Sequence, residues 1–85
     1  MTESETRLAL MGIIIEDSGA VEAVNDLLHR NRDLVIGRMG IPYREKGFNI
    51  ISIVMDAPMN DINALTGALG RLEGVSAKAV CAATE

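Results

Sequence analysis

LALMGIIIEDSGAVEAVNDLL, residues 8–28, is the stretch whose reading decides the fold. The aliphatic run from Arg7 to Ile15 closes on three successive isoleucines and reads as a strand covered on both faces. Glu16-Asp17-Ser18-Gly19 follows as an acidic turn, with Asp17 or Ser18 suited to cap a helix. From Ala20 to about Arg30, the residues Ala20, Val21, Ala23, Val24, Leu27 and Leu28 gather on one face of a helix. Glu22, Asn25, Asp26 and His29 take the other face, so the helix is amphipathic. A strand that hands a glycine-bearing turn to a helix N-terminus leaves first-turn N–H groups for an anion or a carbonyl to engage. Asp17, Ser18, Gly19 and Ala20 are therefore the candidate lining of a small-ligand site. The competing reading is a helix cap and a turn glycine, which the fold needs in any case.

Working outward, Asn31-Arg32-Asp33 breaks the helix, and Leu34–Tyr43 reads as a second strand. Arg44-Glu45-Lys46-Gly47 makes a hairpin connection to a third strand, Phe48–Asp56. Pro42 cannot donate to a ladder, which puts the second strand at a sheet edge. Ala57–Asn60 is a loop, and Asp61 to about Leu72 is a second helix with an apolar stripe of Ile62, Leu65, Leu69 and Leu72. Gly74 ends it, and Val75–Ala82 is a fourth, alanine-rich strand. Strand-helix-strand repeated twice in one short chain predicts an α+β ferredoxin-like βαββαβ sandwich. Four antiparallel strands would carry both helices on one face.

The 85 residues predict one domain, 1–85, with a polar and flexible start at residues 1–6. Hydrophobic residues make up 48% of the chain, yet Tyr43 and Phe48 are its only aromatics, so the core must be aliphatic. A net charge of −4 opposes a nucleic-acid backbone or an anionic membrane as direct partner. Even so, Arg30, Arg32, Arg38, Arg44 and Lys46 cluster in one segment, which leaves room for a local anion site. A single cysteine, Cys81, excludes an intrachain disulfide framework. With no signal-like start and no apolar run long enough to span a bilayer, the expected location is cytoplasmic.

Helices on one face should leave alternating strands, apolar inward and polar outward. The strands do not alternate. The first offers Leu8, Leu10 and Ile14 on one side and Met11, Ile13 and Ile15 on the other. The third sets Ile50 and Val54 against Ile51, Ile53 and Met55. Each large apolar side chain left in water forgoes about 1.5–3 kcal/mol of burial, so a second copy of the chain is expected on the uncovered face. A dimer or tetramer is the expected state, with Met11, Ile13, Arg38 and Met39 as interface contributors.

The remaining motifs carry little chemistry. His29, the only histidine, lies in the last turn of the first helix, where a cation favours the helix dipole. As a metal ligand it lacks companions, and no metal or other cofactor is expected. Gly67 and Gly70, on the solvent side of the second helix, mark either a contact with another chain or neutral variation. Lys46–Ile53 partly matches the third-strand octapeptide of RNA-recognition domains. Base stacking needs aromatic platforms on the first and third strands, and only Phe48 supplies one. No serine or cysteine has a histidine base beside it and no phosphate-cradling loop occurs, so no catalytic residues are expected and the protein reads as a non-enzyme.

On these residues the chain resembles ACT-type regulatory domains. The carrying segment is IIIEDSGAVEAVNDLLHRNRDLVIGRMG, residues 13–40, with Gly19 at the position of their ligand-turn glycine. Through VNDLLH (24–29), IGRMGIPYRE (36–45) and ALTGALGRLEGVSAKAV (64–80) it also resembles a small stand-alone family assigned to regulation of the iron-only hydrogenase system. The resemblance implies an ACT-like fold, self-association and a regulatory role, with a small polar effector such as an amino acid at the turn. A scaffold that binds a hydrogenase-maturation protein through the apolar sheet face is the alternative, and a metal sensor like the nickel-responsive regulators is another. The turn lacks the proline that often precedes the ACT glycine. The chain also lacks the histidine and cysteine set of the nickel regulators and any DNA-binding segment.

Overall fold

The aliphatic run forms strand β1 (Arg7–Ile15), whose side chains alternate strictly between buried and exposed. A single turn of tight helix, Ser18–Ala20, leads without a break into α1 (Val21–Arg30). A second tight turn, Arg32–Leu34, delivers the chain to β2 (Val35–Tyr43), and a hairpin returns it through β3 (Phe48–Ala57). Helix α2 (Met59–Gly70) and strand β4 (Val75–Cys81) complete the order. This computed structural model describes residues 5–83. Of the flexible start expected at residues 1–6, positions 1–4 lie outside that range.

The strands form one antiparallel sheet in the order β2-β3-β1-β4, the ferredoxin-like arrangement expected from the element order. Pro42 sits on edge strand β2, opposite Asn49, as its missing N–H requires. The hairpin closes through a Gly47 N–H donated to the Arg44 carbonyl at 3.2 Å, with Gly47 at φ 72°. A four-residue loop of this kind is the next resort after two-residue turns, and glycine relieves its left-handed position.

One element departs from expectation. Helix α2 starts at Met59 rather than Asp61 because the Pro58 carbonyl accepts from both Asp61 N–H (2.9 Å) and Ile62 N–H (3.1 Å). It ends at Gly70, before Leu72. Gly74 therefore does not cap the helix. It belongs to the turn closed by Val75 N–H to the Leu72 carbonyl (3.2 Å), and its φ is 78°.

The core is aliphatic throughout. Ala9, Met11, Ile13 and Ile15 of β1 and Ile51, Ile53 and Met55 of β3 pack against Val24 and Leu28 of α1 and Ile62, Leu65 and Leu69 of α2. No polar side chain is buried among the described residues. Gly67 lies within α2, and a Cβ placed there meets nothing nearer than the Arg71 guanidinium at 3.7 Å. Gly67→Ala should therefore stabilise the chain by about 1 kcal/mol, seen as a higher urea midpoint. A lower midpoint would show that this stretch of helix is pressed against another chain.

Candidate functional site

The turn after β1 is closed on itself. Asp17 stands at the N-cap with extended backbone, and its Oδ1 accepts from Gly19 N–H at 2.9 Å. Ala20 N–H donates to the Asp17 carbonyl at 2.8 Å, and Val21 N–H donates to the Ser18 carbonyl. The N–H groups of Gly19, Ala20 and Val21 therefore have partners within the turn. The capping role of Asp17 is thus met in the structure. Asp17, Ser18 and Gly19 are exposed and Ala20 is half-buried, so a small molecule at this turn would compete with the Asp17 carboxylate for the Gly19 N–H.

The turn is also anchored from below. Glu16 N–H donates to the Gly74 carbonyl at 2.7 Å, which ties the end of β1 to the start of β4. The two loops lie so close that a Cβ on Gly74 would stand 2.6 Å from the Asp17 Cβ. Asp17 consequently has two structural duties, capping and loop-to-loop packing. The second is invisible in the sequence, because Gly74 looked like a helix stop.

The four interface residues expected from the sequence do not share a surface. Met11 and Ile13 are fully buried beneath the helices and cannot meet another chain, which corrects that assignment. The physical reason is the two-residue strand period: each step along β1 crosses the sheet, so Met11 and Ile13 lie opposite Leu10, Gly12 and Ile14. Arg38 also lies on the helix side, where it pairs in register with buried Ile53 and donates to Asn25 Oδ1 at 2.7 Å. Met39 alone is on the outer face, opposite Ser52 and 61% exposed.

That outer face is the most apolar exposed surface among the described residues. Registered rows run across the sheet: Ile41, Ile50 and Ile14 in one, Val54, Leu10 and Val80 in another. Between them runs the row Met39, Ser52, Gly12 and Lys78, low only at its middle, where nothing stands within 4 Å of a Cβ built on Gly12. Lys78 and Asp56 add one charge of each sign. A signal for this assignment was present in β3, where Ser52 and Asp56 share a face with Ile50 and Val54. The other face of that strand is apolar from Ile51 to Ala57.

Metal chemistry finds no constellation. Among the described residues no three His, Cys, Asp or Glu side chains converge. His29 is exposed at the end of α1, and on β4 the Cys81 Sγ lies 3.9 Å from the Met59 Sδ. Tyr43, at the hairpin tip, donates to Glu45 Oε1 at 2.7 Å, and the carboxylate beside it raises the phenol pKa. No helix among the described residues is long and apolar enough to cross a membrane.

Comparison with known proteins matches this geometry to one family. The TM1266-like family model, described as "Iron-only hydrogenase system regulator, putative", matches residues 7–79. The solved structure of the uncharacterized protein TM1266 from Thermotoga maritima superposes with a TM-score of 0.87 at 35% identity, covering 91% of this chain and 98% of that one. A formyltetrahydrofolate deformylase from Pseudomonas putida KT2440 superposes with a TM-score of 0.57 at 16% identity, over 87% of this chain and 28% of that one. That likeness shows a shared fold within a longer protein. No curated protein matches the chain. With β1 through most of β4 inside the matched span, the chain belongs to the TM1266-like family.

Proposed function

We propose that this protein is a non-enzymatic, self-associating regulatory domain of the iron-only hydrogenase system, which works by meeting a second copy of itself through the outer face of its sheet. The carrying observation is that face, with Leu8, Leu10, Ile14, Met39, Ile41 and Val80 between 41% and 71% exposed. Strands of this length, at about 3.3 Å per residue and about 4.8 Å apart, make a face on the order of 600 Å². That footprint, which also holds Ser52, Ser76, Lys78 and Asp56, approaches the ~800 Å² each partner gives to a standard interface. Two apolar rows flank the Ser52–Gly12 dip, which Met39 closes at one end and Lys78 at the other, and an apolar face of this kind can meet its own copy across a two-fold axis. In this reading the regulatory signal is a change in association, and a small polar effector is the input that shifts it.

Sedimentation of the chain at micromolar concentration tests the proposal. A species of at least twice the 9.1 kDa chain mass is expected. Leu10→Glu and Ile50→Glu, both at exposed positions, should each yield a folded monomer. A wild-type protein that stays at 9.1 kDa refutes self-association and leaves the apolar face to a hydrogenase-system protein as scaffold partner. Isothermal titration with a panel of amino acids separately tests the Asp17–Ala20 turn as effector site. Absence of heat alongside an intact dimer removes it.

A further inference from the structure

The helix side of the sheet holds a feature that neither the family nor the turn accounts for. The two-helix layer is narrower than the four-stranded sheet, and edge strand β2 is left uncovered along its helix-facing side. An open seam of about 440 Å³ results between α1 and β2. Asn25 and His29 form one wall, and Arg38 of β2 and Arg32 of the connecting turn supply the rest of the polar rim. Its floor is apolar: Leu28, Val35 and Ile53. A smaller hollow of about 200 Å³ lies beside it past Gly40 and Pro42, sharing Asn25 and Arg38.

Arg38 reaches this seam through a defect in the ladder. Val35 pairs with Met55 and Gly37 with Val54, so Ile36 is an extra residue, a β-bulge. Without it, strict alternation from inward-facing Val35 would turn Arg38 to the outer face. With it, Arg38 pairs with Ile53 and turns toward the helices. Bulges re-aim side chains in this way next to functional sites.

The charge of the seam opposes that of the chain. Among the described residues no carboxylate lines it, although the net charge of the protein is −4. The nearest acid on the same helix turn, Asp26, is held by Arg30 at 2.7 Å. Arg38 donates to Asn25 Oδ1 at 2.7 Å and Arg32 to the His29 carbonyl at 3.0 Å. Each bond uses one of the roughly five donors on its guanidinium and leaves the others to a ligand. Two guanidinium groups at the rim of an apolar floor suit an oxyanion carried on a compact apolar body. The volume falls within the ~300–1,000 Å³ of small-molecule sites.

We infer that the α1–β2 seam is a binding site for a small organic anion, a carboxylate or phosphate ester, held by Arg38 and Arg32 with its apolar part on Leu28, Val35 and Ile53. The seam and the outer face lie on opposite sides of the sheet, so the inference stands apart from self-association and fails or holds separately from it.

Amide-resolved NMR titration of the full chain at physiological salt tests this, with benzoate, benzyl phosphate, neutral benzamide and inorganic phosphate as probes. Saturable shifts confined to residues 25–38 and to Ile53 and its strand neighbours are expected with benzoate or benzyl phosphate and not with benzamide. Arg38→Gln should weaken the binding about tenfold or more, the scale of one charge-assisted contact, while preserving the dispersion of the spectrum. Arg44→Gln, on the hairpin loop outside the seam, should leave binding unchanged. The inference is overturned if neither organic anion shifts these amides at millimolar concentration, or if Arg44→Gln weakens binding as much as Arg38→Gln. Equal binding of inorganic phosphate and benzyl phosphate also overturns it, because the apolar floor then contributes nothing.

Discussion

Ile13→Ala should lower the unfolding free energy by about 2–5 kcal/mol, whereas Ile14→Ala, one residue on, should lower that of the monomer by less than about 1–2 kcal/mol. Ile13 is fully buried against the helices, and its truncation leaves a cavity that close-packed neighbours cannot fill. Ile14 is 41% exposed on the outer face, so alanine there forfeits only part of a transfer free energy. Total stability for a chain of this length is on the order of 4–13 kcal/mol, so the first variant approaches the folding threshold and the second does not. Urea titration at two protein concentrations measures both. If the outer face is an interface, the Ile14→Ala penalty grows with concentration, because it then includes lost association. Equal penalties for the two variants at low concentration would show that the strand faces have been exchanged.

Gly74→Ala should destabilise the protein by roughly 2–4 kcal/mol. Two effects add. At φ 78° an L side chain sits in the left-handed region, at about 1–2 kcal/mol. The new methyl would also lie 2.6 Å from the Asp17 Cβ and 3.2 Å from its backbone N, atoms that no rotamer change can move. Gly47→Ala separates the terms, since Gly47 has φ 72° but open space around its missing Cβ, and it should show only the conformational cost. A Gly74→Ala loss no larger than that of Gly47→Ala, by thermal or urea denaturation, would mean that the two loops do not approach as described. The variant should also disturb the Asp17–Gly19 cap, visible as loss of protection of the Gly19 amide.

Much of the architecture was legible because local rules agreed. Triple isoleucine, an acidic turn and a clean amphipathic helix need no tertiary information to read as strand, cap and helix. Pro42 placed β2 at the edge through its missing donor alone, and the sheet order agrees. The start of α2 was misplaced by two residues because proline reads as a breaker, whereas here its carbonyl opens the helix. The turn lies between β1 and α1, where the sequence puts it, and the Gly19 N–H bonds to Asp17 as the capping reading of that turn expects.

By itself the sequence determined the order of elements, the edge position of β2, an aliphatic core and a surplus of apolar surface, because each follows from residue type and short-range period. Which face of β1 the helices cover is not written in β1, which is apolar on both sides; Ser52 and Asp56 mark the outer face of β3, and only the register that pairs β3 with β1 carries that mark across. The same holds for the bulge at Ile36, which turned Arg38 from the expected interface into the α1–β2 seam. It holds equally for the contact of Gly74 with Asp17, two loops that meet only when β4 pairs with β1. These features depend on register and on packing between distant segments, and no local pattern encodes them.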